Sequence, residues 1–96
     1  MASQFLELAV PTRAVNHTLH DTNHLSDSVM GFVVAVTVAG TLVARMHGDS
    51  ADVSIDLTAG THHIPGNWKL LKTTGTATIA NSRATVLIFD PSGISR

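Results

Sequence analysis

From Gly31 to Asp90 the apolar residues come in short runs that alternate with polar ones, and glycine-centred turns close five of the runs. The turns are Ala39-Gly40-Thr41, Gly48-Asp49-Ser50, Ala59-Gly60-Thr61, Pro65-Gly66-Asn67 and Thr74-Gly75-Thr76, near copies of one another. Glycine supplies backbone conformations that tight reversals need, and the neighbouring Thr, Asp, Ser and Asn bond locally and leave the strands to β-branched residues. The clearest alternation is Asp52-Val53-Ser54-Ile55-Asp56-Leu57, which predicts a half-exposed antiparallel strand with Val53, Ile55 and Leu57 inward. Phe32 to Val38 is apolar on both faces, which predicts a strand covered on both sides. Further strands are expected around Leu42 to Met46, His62 to Pro65, Asn67 to Thr73, Thr76 to Ala80 and Thr85 to Phe89, with a hairpin at Thr74 to Thr78. Six or seven such strands around one core predict an all-β fold, a small antiparallel β-sandwich or compact barrel.

The pattern before residue 29 is different. Pro11 and the stretch Asn16 to His24 are rich in residues that bond their own backbone and disfavour helix, so residues 1–28 read as an extended N-terminal arm with at most a short strand. Residues 29–96 read as the β domain. Phe5, Leu6, Leu8, Val10 and Val15 are too apolar for a solvated tail and are expected to pack on either the parent domain or a neighbouring subunit, with Phe5, Leu6, Leu8 and Val10 as the interface residues.

Composition sharpens this picture in three respects. A β segment of roughly 65 residues is marginal as a lone unit, which favours self-association. There is no cysteine, so neither a disulfide nor a thiolate metal site is available. Six basic residues are scattered against seven acidic ones, which argues against nucleic acid as a partner, and no apolar run approaches a membrane span. Residues 1–10 lack the basic start and unbroken apolar stretch of a secretory signal.

Candidate chemistry is sparse. His17, His20 and His24 would share a face only in a helix, which their neighbours oppose, and His62 and His63 are adjacent on a strand and point to opposite faces. Asp52 and Asp56 would stand about 13 Å apart on an extended strand, beyond the reach of a paired-carboxylate site. Asp49 and Asp52 lack the ligand spacing of a calcium loop, and no nucleophile elbow or phosphate loop is present. The expectation is therefore a protein that is not an enzyme and has no metal or cofactor. Trp68, the single tryptophan, follows a Pro-Gly turn and reads as a core plug or interface anchor, with sugar stacking as the alternative.

Four segments, taken in order, resemble a known family: Val36-Thr37-Val38-Ala39-Gly40-Thr41-Leu42, Val53 to Thr61, Leu70 to Thr78, and Val86-Leu87-Ile88-Phe89. Their order and spacing are similar to those of the head spike base proteins of gene transfer agents and their relatives in tailed bacteriophages. These share Ala-Gly turns and a Thr-Gly-Thr hairpin ahead of an apolar last strand. The resemblance implies a structural virion protein that decorates the capsid or forms the base of a surface spike or fibre. Its implied partners are copies of itself, the major capsid protein and the spike or fibre protein. The competing expectation is a carbohydrate-binding module that recognises host glycans through Trp68.

Overall fold

A computed structural model describes residues 11–89, and these form two antiparallel sheets packed face to face. The strands are β1 (Arg13–Thr18), β2 (Val29–Val38), β3 (Gly40–Met46), β4 (Val53–Leu57), β5 (Gly60–Pro65), β6 (Trp68–Leu71), β7 (Thr78–Ile79) and β8 (Arg83–Ile88). One sheet has the order β1-β8-β2-β5, with β7 paired to β2 beyond the end of β8. The other has the order β4-β3-β6. A 3-10 turn at Ala80–Ser82, with Asn81 and Ser82 at positive φ, separates β7 from β8. Those two strands therefore act as one interrupted strand along the same side of β2.

The core lies where alternation places it. Phe32, Val34 and Val36 of β2, with Ala84, Val86 and Ile88 of β8 beside them in the same sheet, face Leu42 and Ala44 of β3 and Trp68 and Leu71 of β6, all buried. Phe32 and Trp68 meet edge to face, with centroids 5.8 Å apart and planes at 74°. Such a pair contributes about 0.5 to 1.5 kcal/mol beyond its area. On β4 the inward side is the expected one: Val53, Ile55 and Leu57 lie opposite Ala44, Leu42 and Gly40, with burial deepening toward Leu57.

Three sequence expectations are corrected. β2 is not covered on both sides; Val33 is half-buried and Ala35 exposed, because no described element lies over its outer face. Thr74 to Thr78 is not a hairpin. It is a crossover from β6 in one sheet to β7 in the other, and the strand expected at Thr76 to Ala80 shrinks to two residues. The division at residue 28 also fails for the described part of the arm, since β1 is a full strand of the first sheet and Leu19 and Leu25 are core residues. Residues 19–28 cross to the second sheet and lie along β6, with the His20 amide donating to the Leu71 carbonyl (2.9 Å) and the Leu25 amide to that of Lys69 (2.8 Å). This strap covers a sheet edge that would otherwise be open to other strands. The five glycine turns differ in what they join. Only Gly48-Asp49-Ser50 joins neighbours in one sheet; the others carry the chain from sheet to sheet.

Candidate interaction surfaces

Among the expected interface residues, Phe5, Leu6, Leu8 and Val10 lie outside the described residues. Trp68 belongs to the core: it is 4% exposed, and its indole N–H donates to the Pro65 carbonyl at 3.2 Å. It is neither an interface anchor nor a platform on which a sugar ring could stack, and the glycan reading loses its recognition residue.

The histidines are dispersed. His17 is on β1, while His20 and His24 lie on the strap. His20 Nδ1 accepts from the Thr22 amide (3.1 Å), His47 Nε2 lies 3.0 Å from the Ser26 carbonyl, and His62 Nε2 lies 2.8 Å from the Thr58 carbonyl. No group of three or more metal-ligating side chains forms among the described residues. His17 is the exception in environment. Burial, aided by the nearby His20, pushes its pKa below the ordinary imidazole value, and its Nε2 is buried without a hydrogen-bond partner among the described residues.

Charged groups serve the scaffold. Asp52 receives the Arg45 guanidinium (2.8 Å) and the Lys72 ammonium (2.7 Å), tying the start of β4 to β3 and to the end of β6. The bond from Lys72 is the main cause holding its carboxyl below the usual range. Asp21 on the strap accepts from both the amide and the hydroxyl of Thr73, each at 2.9 Å, and the amide bond is the first cause of its lowered pKa. Beside these groups lies a half-open cleft of about 210 Å³, floored by Leu19, Leu42 and Ile79 and rimmed by Lys72, Thr73 and Ser82. It is smaller than the roughly 300 Å³ at which small-molecule sites begin, and its one cation is already engaged by Asp52.

What the fold leaves available is sheet edge. With β6 strapped, the strands paired on one side only among the described residues are β1, β4, β5 and the two-residue β7. β5 ends in Pro65, and β4 has Asp52 just before it and Asp56 within it; prolines and charges of this sort blunt edges. β1 has six residues and a single charge, Arg13, which is its first. It also overhangs the sandwich. Arg13, Val15 and His17 lie opposite Ile88, Val86 and Ala84 and so share their core-facing side, yet Val15 is 42% exposed while Val86 is 1% exposed. The second sheet is too narrow to cover this row. Nothing in Arg13-Ala14-Val15-Asn16-His17-Thr18 distinguishes the two faces by polarity, so the row is not legible before the pairing is known.

Searches against family models, curated proteins and solved structures gave no match for this chain.

Proposed function

We propose that the chain is a structural subunit of a tailed-phage or phage-like particle, decorating the capsid or forming the base of a surface spike, and that it works by attachment and not by catalysis. The observation that carries the reading is the overhang of β1, which leaves Val15 of its core-facing row 42% exposed a few residues after the apolar Phe5, Leu6, Leu8 and Val10. Burying Val15 against another subunit yields about 25 cal/mol for each Å² of apolar surface removed from water. The four resembling segments support the same reading. They fall on the β2–β3 corner, on β4 with its exit turn, on the β6 crossover and on the last strand, so the likeness follows the frame of the fold. A low density of charge suits a surface shared with neighbours.

A subunit of this kind contributes many weak, identical contacts whose effect multiplies on a symmetric particle. The test is to purify particles by density gradient and measure the ratio of this chain to the major capsid protein. A constant ratio across preparations is expected. Loss of the chain from washed particles, with the capsid intact, would overturn the proposal.

A further inference from the structure

The pairing of β1 determines which of its backbone groups are engaged. The Leu19 amide donates to the Ser82 carbonyl at 2.9 Å, continuing the register in which Thr18 faces Arg83 and His17 faces Ala84. Bonded pairs alternate along an antiparallel ladder, so Arg13, Val15 and His17 direct their amides and carbonyls to β8, and Ala14, Asn16 and Thr18 turn theirs outward. Among the described residues no strand meets those outward groups.

We infer that β1 pairs antiparallel with β1 of a second copy about a two-fold axis through Val15, joining two sandwiches through one continuous sheet. The parity of the ladder restricts the choice of register. Only even residues have groups to offer, so even must bond with even, which brings odd residues opposite odd. The register centred on Val15 makes Ala14 and Asn16 of each copy bonded partners. It sets Val15 against Val15 and Arg13 against His17 as non-bonded pairs, whose side chains approach more closely. Three features of the strand fit this arrangement. The exposed Val15 gains an apolar partner. Arg13 of one copy stands opposite His17 of the other, a half-buried ring whose charged form burial disfavours. No like charges meet, whereas a β4 edge paired with itself would bring aspartates together. A two-fold axis perpendicular to the sheet keeps both core-facing rows on one side, so the two overhangs become the floor of a shared groove.

The chain's lack of cysteine allows a direct test in the full-length protein. In a non-bonded pair the Cα atoms stand about 4.5 Å apart, within disulfide range, so Val15→Cys is expected to cross-link into a dimer under mild oxidation. Ala14→Cys, offset from its own copy by two residues and beyond about 7 Å, is expected not to. An equimolar mixture of Arg13→Cys and His17→Cys chains should cross-link between the two variants and not within either. Sedimentation equilibrium should show a reversible monomer–dimer exchange. Val15→Lys, which opposes two ammonium groups, and Asn16→Pro, which removes an outward amide while sparing the β8 ladder, should each abolish it, with unchanged circular dichroism. If either variant loses its fold, the cysteine series decides. A monomer from micromolar to millimolar concentration, a dimer that survives Val15→Lys, or equal cross-linking at 14 and 15 would overturn the inference, and none of these outcomes bears on whether the chain is found on particles.

Discussion

Gly75→Ala is the substitution whose effect the packing predicts most sharply. The crossover between the sheets is clamped to the start of β3 by a reciprocal set of bonds. The Thr41 amide donates to Thr76 Oγ1 (2.9 Å), the Thr76 amide to Thr41 Oγ1 (3.2 Å) and the Ala77 amide to the Thr41 carbonyl (2.9 Å). A Cβ on Gly75 falls on the carbonyl group of Thr41, 2.9 Å from its carbon, and against the Leu42 Cα at 3.1 Å. Backbone cannot yield as a side chain tip can, so the clamp must open. Three bonds at about 1 kcal/mol net each give a loss of about 3 kcal/mol. That is a large part of the roughly 5 to 15 kcal/mol that holds a typical domain, and corresponds to a fall of at least about 10 °C in the melting midpoint. Urea unfolding followed by Trp68 fluorescence measures it, since the indole is buried against Phe32. Two other glycines are controls in the same chain. Gly48 has nothing within 4 Å of an added Cβ, and Gly48→Ala should change stability by less than about 0.5 kcal/mol. Gly60 has equal room but a φ of +128°, so Gly60→Ala should cost about 1 to 3 kcal/mol through backbone strain alone. If Gly75→Ala is no more destabilising than Gly48→Ala, the close approach of crossover and β3 is wrong.

Three further outcomes follow from the same packing. Asp52 has a folded pKa below its unfolded one, so its contribution is present above the unfolded value and lost as pH falls through the folded value; Asp52→Asn should flatten the acid side of the stability–pH curve in urea titrations. For His17 the depressed folded pKa means that the unfolded chain takes up the proton first as pH falls, so stability declines below the ordinary imidazole value; His17→Gln should remove that decline, and a ring titration by NMR should place His17 below the ordinary value. Deleting residues 2–10 should leave the circular dichroism unchanged and abolish joining to particles, whereas deleting 2–15 also strips Arg13, Ala14 and Val15 from the β8 ladder and should lower the melting midpoint.

The sequence was most informative where burial is one-sided. Asp52 to Leu57 alternates because β4 has core on one side and solvent on the other, and both its face and its extent are readable. Glycine positions marked every change of direction from β2 to β7, but turn chemistry encodes only a reversal. Whether it closes a hairpin or carries the chain across the core depends on long-range pairing, so Thr74 to Thr78 has the residues of a hairpin and the path of a crossover. The arm conceals its strand for a related reason. β1 is largely exposed on both faces, so it has no alternation, and the strap is held by two backbone bonds to β6 and by polar contacts such as Asp21 with Thr73, which many polar sequences can make. Leu19 and Leu25, isolated in a polar stretch, were the two signals that this segment belongs to the core. For Trp68 the core-plug half of the reading was right, and its partner Phe32 explains why.

Imaging decides the central claim most directly. Particles with this chain labelled at its C-terminus, viewed by negative-stain electron microscopy, should display label at fixed, symmetry-related positions on the capsid or at the base of a spike. Label confined to the soluble fraction, with unlabelled but complete particles beside it, would contradict the structural role.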